Sequence, residues 1–292
     1  MVKKIFLLAF VIISLFLIGC RVGVKKIEYE KITNIKYAGV RASIYGVKPF
    51  PAPEKWKDMI FEMKSYFPSS KPVVIWIVGI VKDKVNCRLH FPSDGKTYKN
   101  IIFDKEDLSE KYLDYFDKNG IDVFLQVEPA DADVGTLMRL VLNRYGHNEC
   151  VVGFGIDVEW YRENSHRGWG QKVDDETAKK WEEMLKKYNP NYKLFIKHWD
   201  LRWMPENYRG DIIFVDDSQQ FKKFEQMKKE FAEWGKNFYP NEVWFQIGYP
   251  ADKKWWNKFR NPPKLMGYNI ASEIKQNVGI LWVDFSLKDL FY

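Results

Sequence analysis

The stretch IDVFLQVEPADADVGTLMRLVLNRYGHNECVVGFGIDVE, residues 121–159, decides the fold. Both of its ends are short runs rich in Val, Ile and Phe, which is typical of buried β-strands. Between them, residues 133–145 repeat apolar side chains at helical spacing. Two strands joined by a helix form a parallel pair, because parallel neighbours need a crossover connection. The stretch therefore predicts a β-α-β unit.

The same alternation of strands and helices continues on both sides of this unit. We predict eight strands, at residues 36–45, 72–80, 121–128, 151–159, 192–199, 211–216, 242–249 and 278–285. Helical periodicity occupies residues 53–67, 105–119, 133–145, 174–188, 219–236 and 264–276, and the connection after the fifth strand is short enough to hold only a turn. No Gly-x-Gly-x-x-Gly turn follows the first strand, which counts against a dinucleotide-binding fold. The pattern predicts the α/β class and a single (β/α)8 barrel over residues 35–292.

The N-terminal residues precede the barrel. Lys3 and Lys4 are followed by an apolar run, residues 5–18, which is too short for an ordinary spanning helix and is typical of a signal peptide. The run ends in Leu-Ile-Gly-Cys20, which resembles the lipobox of bacterial lipoproteins; the alternative is a plain secretory signal with a chance cysteine. The resemblance implies removal of a signal peptide, residues 1–19, and lipidation of Cys20, with residues 20–34 as a polar tether. We therefore expect an extracytoplasmic protein that is anchored to the membrane.

The composition excludes several partners. The chain has 46 basic and 39 acidic residues, and they are interleaved, so no basic run indicates a nucleic-acid surface. The four histidines are dispersed without the spacing of a zinc site, and we expect no metal, no cofactor and a monomer.

Cys87 and Cys150 are predicted at opposite ends of the barrel, so a disulfide would require the 82–104 segment to fold down its outside.

The 82–104 segment is long for a connection between a strand and a helix. Asp94-Gly95 at its centre suggests a small hairpin over the barrel mouth. Two readings stay open: a wall of a substrate site, or a surface insertion.

The end of the fourth predicted strand carries the strongest functional signal. Gly153, Gly155, Asp157 and Glu159 alternate onto one face, which we expect to point into the barrel, where the glycines leave space. Active sites of these barrels lie at the C-terminal ends of the strands. Two carboxylates roughly 6–7 Å apart repel each other, so one should hold its proton near neutral pH. Glycosidic cleavage requires such a pair, although a structural pair neutralised by Arg or Lys is the alternative.

The residues GIDVEW, 155–160, resemble the strand ending Asp-x-Glu of glycoside hydrolase family 18, and they are equally similar to that of the family 25 lysozyme-type muramidases. Residues 279–284, GILWVD, resemble the last strand of family 18 with its substrate-stacking tryptophan. The resemblance implies that Glu159 is the general acid/base, that Asp157 orients an N-acetyl group and that Trp282 is the floor of the sugar site. The chain departs from family 18 at Gly153 and Gly155, where that family has two further aspartates.

Strand parity adds candidates for glycan binding. Gln126 and Glu128 share a face of the third strand, and Arg41 is an alternative partner for Glu128. Further candidates near strand ends are Asp216, Gln246, Tyr249, Asp284 and one of Trp160 or Trp199. Asp216 could instead cap the following helix. The seventh strand has no acid at its top, which favours the substrate's own acetamido group, or Glu128 or Asp216, as the second participant in catalysis.

These observations predict a lipid-anchored glycoside hydrolase that acts on an N-acetylhexosamine-containing glycan, such as peptidoglycan or a chitin-like polymer. The alternative is a non-catalytic carbohydrate-binding or cell-wall-associated barrel, because barrels of this type host many functions. A polysaccharide deacetylase or lyase is a third reading, and the absence of a His-rich cluster counts against the deacetylase.

Overall fold

The computed structural model describes residues 29–162 and 170–291, and this part of the chain forms a closed barrel. The strands are β1 (Ile35–Ala42), β2 (Lys71–Lys82), β3 (Asn86–Leu89), β4 (Ile101–Phe103), β5 (Asp122–Val127), β6 (Val151–Asp157), β7 (Lys193–Lys197), β8 (Ile212–Asp216), β9 (Val243–Ile247) and β10 (Val278–Val283). Eight of them pair in parallel in the order β1-β2-β5-β6-β7-β8-β9-β10, and the pairing of β10 with β1 closes the sheet. The predicted (β/α)8 barrel is confirmed.

Helices follow the barrel strands along the chain and cover the outside of the sheet. They are α1 (Pro53–Ser65), α2 (Glu110–Lys118), α3 (Val134–Tyr145), α4 (Asp175–Tyr188), α5 (Phe224–Phe238), α6 (Lys253–Trp256), α7 (Pro262–Ala271) and α8 (Leu287–Phe291). The connection from β7 to β8 holds only a 3₁₀ turn, Leu201–Trp203, as predicted. Within the two described ranges, none of the helices is both long enough and apolar enough to cross a bilayer.

Aromatic rings fill the inside of the barrel. Phe124 packs 4.8 Å from Trp244 and 6.1 Å from Phe195, measured between ring centroids. The expectation that Gly153 and Gly155 leave space in the lumen is wrong, because these rings occupy it. A Cβ atom at Gly155 would lie 1.9 Å from the ring of Phe195, and one at Gly153 would lie 2.3 Å from that of Phe124. The interior is therefore closed below the mouth, as in other filled barrels.

The 82–104 segment contains a hairpin, but its turn is not at Asp94-Gly95. Strand β3 runs antiparallel to β2 around residues 83–85, and β4 then pairs with β3 in parallel. Asp83 and Lys84 have φ angles of 52° and 64°, and Asp83 Oδ1 accepts a hydrogen bond from the Asn86 backbone N–H at 3.2 Å. An aspartate that bonds to the backbone ahead of it stabilises such a turn. The turn of the hairpin is therefore at residues 83–85, and its predicted position at Asp94-Gly95 is wrong.

Cys87 and Cys150 do not form a disulfide. Both are buried free thiols, and burial raises the pKa of Cys150 to about 12. Tyr29 stacks on Tyr268 with 4.6 Å between the ring centroids, so the end of the segment predicted as a tether lies against α7. The predicted signal peptide, residues 1–19, and Cys20 lie outside the described residues.

Candidate active site

A layer of polar side chains lies above the aromatic rings, at the C-terminal ends of the strands. Lys197, the last residue of β7, is its centre. Its Nζ lies 2.8 Å from Asp157 Oδ2 at the end of β6 and also bonds to Asp217, the residue after β8. The lysine and Asp157 are each 3% exposed and Asp217 is 6% exposed. One buried ammonium is therefore shared by two buried carboxylates.

The pKa values of Asp157 and Lys197 are both raised, but for different reasons. Burial raises the pKa of Asp157 well above its usual value, against the lowering effect of Lys197. Burial also opposes the charge of Lys197, but the carboxylates of Asp157 and Asp217 outweigh it and raise the pKa of the lysine. One buried cation therefore faces two buried acids, and a single positive charge cannot balance both carboxylates.

A second ion pair closes the opposite side of the lumen. Arg41 Nη1 lies 2.7 Å from Asp284 Oδ1, and Asp284 Oδ2 accepts hydrogen bonds from the backbone N–H and the hydroxyl group of Ser43. Glu128 is not the partner of Arg41, which was its alternative role. It accepts hydrogen bonds from the Tyr45 hydroxyl group and, at 3.0 Å, from the Val81 backbone N–H. Asp284 and Glu128 are thus held in the mouth by several donors each.

Several buried polar atoms in this layer have no hydrogen-bond partner among the described residues. They are Asp157 Oδ1, Asp217 Oδ1, Gln126 Oε1, Gln246 Nε2 and Arg41 Nε. Gln126 reaches Asp157 Oδ2 through its Nε2 at 3.4 Å, and Tyr249 donates to Gln246 Oε1 at 3.2 Å. Buried polar groups are ordinarily paired, and unpaired ones concentrate where a ligand or water is bound. The predicted candidates Gln126, Gln246 and Tyr249 are therefore brought together at the mouth.

Alternation along the strand predicted that Glu159 shares a face with Asp157, and this prediction is wrong. Strand β6 ends at Asp157, and Val158–Trp160 form a 3₁₀ turn in which successive side chains are about 120° apart rather than opposite. Val158 is buried and Glu159 is half-buried. The turn moves Glu159 out of the lumen and into the wall of a neighbouring pocket.

This pocket has a volume of about 760 Å³ and lies at the ends of β6, β7 and β8, beside α5. Glu159 and Asp217 line it together with the indole of Trp199. Its volume falls within the range of small-molecule sites. The pocket is displaced from the barrel axis towards the helices, and Asp217 connects it to the Asp157–Lys197 cluster.

One predicted ligand residue, Trp282, points away from the mouth. Trp282 is 0% exposed and belongs to the apolar layer between the barrel and the helices, where it packs edge-on against Trp256 and donates to Ser286 Oγ at 2.8 Å. Its parity on β10 is opposite to that of the lumen residue Leu281. Its predicted role as the floor of the sugar site is therefore wrong. Trp160 is half-buried in the turn after β6.

Asp216 likewise has the outward parity on β8. It is 0% exposed and accepts a hydrogen bond from the Ser218 backbone N–H at 2.8 Å, and burial raises its pKa well above the usual value. This contact bonds Asp216 to the chain just after the strand. It does not cap the following helix, which was the structural alternative, because α5 begins at Phe224 with Lys223 as its N-cap residue. Asp217, which the sequence reading passed over, has the inward position instead.

An exposed aromatic pair completes the mouth. Tyr45 and Phe285 are 38% and 41% exposed and stack with 5.9 Å between ring centroids, and the guanidinium of Arg41 lies 4.6 Å from the centroid of Phe285. They follow β1 and β10, on the side of the barrel opposite to the pocket. Sequence reasoning did not single out Phe285, which was predicted at the end of the eighth strand and lies instead in the 3₁₀ turn after β10.

No protein-family model matches this chain, and no curated protein matches its sequence. The fold and the geometry of the mouth are therefore the basis for a functional proposal.

Proposed function

We propose that the chain is a glycoside hydrolase that binds a hexosamine-containing glycan across the barrel mouth. The observation that carries this proposal is the pocket at the C-terminal end of the barrel, which Glu159 and Asp217 line together. These two acids are in different environments: Glu159 is half-buried in a turn, whereas Asp217 is buried against Lys197. Two carboxyl groups with unlike surroundings are what acid-catalysed glycosidic cleavage uses.

Glu159 is the group that we assign as general acid. Its position in the pocket wall allows it to meet the glycosidic oxygen and to donate a proton as the bond to the anomeric carbon breaks. Asp157 does not line the pocket. It is instead a positioning residue, since it holds Lys197, which in turn holds Asp217.

Asp217 is the second participant that best fits the pocket. The two carboxylates that the sequence suggested for this role are occupied elsewhere: Glu128 by Tyr45 and Val81, and Asp216 by Ser218. Participation by the acetamido group of the substrate is the other route. The two routes differ in one respect, because only the first requires the carboxylate of Asp217.

The exposed Tyr45–Phe285 pair supports a carbohydrate as the ligand. Aromatic rings combine an apolar face with positive edges, and they offer flat surfaces on which the apolar face of a pyranose can pack. Because the pair and the pocket are on opposite sides of the mouth, a glycan chain that contacts both passes over the acid cluster. This arrangement favours a polymer as substrate over a monosaccharide.

A non-catalytic carbohydrate-binding barrel is the second candidate, and one observation favours it. Asp157 and Asp217 share Lys197, and Asp284 is paired with Arg41. Acids that are neutralised in this way can serve only to stabilise the barrel.

The two candidates are separated by measuring binding and reducing-end release on the same glycans: chitooligosaccharides, peptidoglycan and neutral polymers. For a hydrolase we expect products, with loss of turnover but retained binding in Glu159→Gln. Asp217→Asn should lose turnover only if Asp217 takes part. Glu225→Gln, an exposed acid at the start of α5, is the matched control and should be unchanged. Binding without products on every glycan would refute the hydrolase and support the binding barrel.

We further propose that the chain is exported and anchored through lipid on Cys20. The support is the sequence alone: an apolar run that ends in Leu-Ile-Gly-Cys20. Detergent-phase partitioning of the protein from cells, compared with Cys20→Ser, tests it. Partitioning that does not depend on Cys20 would contradict the anchor.

A further inference from the structure

The pocket beside α5 has an excess of negative charge. Besides Glu159 and Asp217, its lining includes Asp200 from the chain after β7 and Glu230 and Glu233 from α5. Glu230 and Glu233 are exposed residues of α5, and the pKa of Glu230 is raised, first by partial burial of its carboxyl group and then by the like charges of Glu233 and Asp200. Ionised acids this close repel one another, and a bound cation would relieve that repulsion.

Two basic groups that the described part of the chain places at this pocket are already neutralised. Arg202, which also lines it, donates from Nε to both carboxylate oxygens of Asp200 at 3.0 Å. Lys197 is shared by Asp157 and Asp217. Leaving Glu159 aside, the lining acids Glu230 and Glu233 have neither of these two cations as a partner, so charge complementarity favours a cationic ligand.

A second observation indicates a ligand rather than a solvated acidic surface. Asp217 lines the pocket and is only 6% exposed. Its Oδ1 atom has no hydrogen-bond partner in the described part of the chain. A buried carboxylate oxygen without a donor is costly in a folded protein. An N–H or O–H donor on a ligand in the pocket would satisfy it.

The distribution of the acids distinguishes between kinds of cation. Among residues 29–162 and 170–291, no three His, Cys, Asp or Glu side chains are close enough together to hold a metal ion. The carboxylates are instead spread around a pocket of about 760 Å³ that also includes the indole of Trp199. Dispersed carboxylates with one aromatic face suit an organic ammonium group on a ring, since an ammonium near an indole gains further attraction.

We propose that this pocket binds a hexosamine residue with a free, protonated amino group, so that the glycan of this site is at least partly deacetylated. The inference deepens the proposed function in naming the substrate class, and its binding test does not require turnover. The ammonium lies between Glu230 and Glu233, a ring hydroxyl group donates to Asp217 Oδ1, and Trp199 contacts the ring.

The test is calorimetric titration of the purified full chain at pH 5.5 with two tetrasaccharides, tetra-glucosamine and its fully N-acetylated form. We expect the free-amine form to bind about tenfold more tightly at low salt, and this preference to shrink as salt is raised. Glu230→Gln/Glu233→Gln should weaken only the free-amine form, by about three- to tenfold. Glu176→Gln/Glu183→Gln, which removes two exposed acids from α4, is the matched control and should change neither.

Other outcomes overturn the inference in distinguishable ways. Equal or tighter binding of the acetylated form, or no effect of the α5 double variant, would refute a free-amine site. Spermidine or Ca²⁺ binding as tightly as the tetrasaccharide would identify a general cation pocket. Mass spectrometry of the titrated sample reports cleavage separately, so binding of the acetylated form with cleavage would leave the hydrolase proposal intact.

Discussion

At the scale of single residues, the mouth depends on Lys197. Its Nζ is the shared partner of two buried carboxylates from neighbouring strands, and its side chain is 3% exposed. A buried ion pair adds little net stability, but removing one partner leaves uncompensated charge in a medium of low dielectric. The main effect of the lysine is therefore to compensate the buried charge of Asp157 and Asp217, and the pair itself adds little net stability.

We expect Lys197→Met to lower the free energy of unfolding by about 3–5 kcal/mol at pH 7.5. Without the ammonium, burial raises the pKa of Asp157 in the folded state still further above its value in the unfolded chain. The loss should therefore be largest at neutral pH and should shrink as the pH falls towards 4, where the Asp157 carboxyl group is protonated. Urea unfolding at the two pH values measures it.

Lys193→Met is the matched control for this prediction. Lys193 begins the same strand, and its pair with Asp211 is exposed, at 40% and 48% of the two side chains. Exposed pairs contribute at most about 1 kcal/mol. A loss in Lys197→Met as small as that in the control would show that Asp157 and Asp217 do not depend on the lysine.

At the scale of secondary-structure elements, each strand end decides which face of the barrel a residue reaches. On β6 the glycines match the rings of β5 and β7, and the 3₁₀ turn that follows redirects Glu159. On β8 the same parity places Asp217 inward and Asp216 outward. A shift of one residue at a strand end therefore exchanges a structural acid for one that faces the site.

The filled lumen gives a prediction at this scale. We expect Gly155→Ala to destabilise the fold by about 1–3 kcal/mol, because its Cβ would lie 1.9 Å from the ring of Phe195. Adding Phe195→Leu should restore part of the loss. If the lumen were open at this level, alanine would instead stabilise the strand by about 0.5–1 kcal/mol, and an increase in the unfolding free energy would contradict the packing described above.

A second prediction concerns the loop elements around the pocket. Asp252, in the turn after β9, is 0% exposed, and burial raises its pKa from 3.8 to about 6. The neighbouring Trp255 donates to the Phe221 carbonyl group at 3.0 Å and so connects this turn to the chain that follows β8.

Because its pKa is raised in the folded state, Asp252 binds a proton there that the unfolded chain releases. Its contribution to stability is therefore full below pH 4 and is lost as the pH rises through about 6. We expect Asp252→Asn to gain up to about 3 kcal/mol relative to the wild type between pH 4 and pH 7.5. A difference between the two unfolding free energies that is independent of pH would contradict the raised pKa.

At the scale of the whole molecule, the sequence was sufficient to predict the barrel. Hydrophobic alternation identified all eight barrel strands within a few residues, since burial of one face imposes a period of two. It also placed Asp157, Gln126 and Gln246 in the mouth. These successes share a cause: each residue lies within a regular strand, where neighbouring positions determine the direction of a side chain.

The errors occur where regular structure ends. Glu159, Asp217 and Phe285 follow the last paired residues of their strands, and the turns there are set by contacts with distant parts of the chain. Trp282 was misplaced because a resemblance to a strand of another family outweighed its parity. Ion partners could not be predicted either, since Lys197 lies 40 positions from Asp157 in the chain.

The measurement that tests the central claim most directly compares two substrates with wild-type protein and Glu159→Gln. One is the glycan that is cleaved fastest, and the other is the nitrophenyl glycoside of the same sugar, whose leaving group needs no proton. If Glu159 is the general acid, the variant should lose about 10²–10⁴-fold in turnover of the glycan and far less with the nitrophenyl glycoside. Equal losses on both substrates, or no loss on the glycan, would contradict the assignment of Glu159.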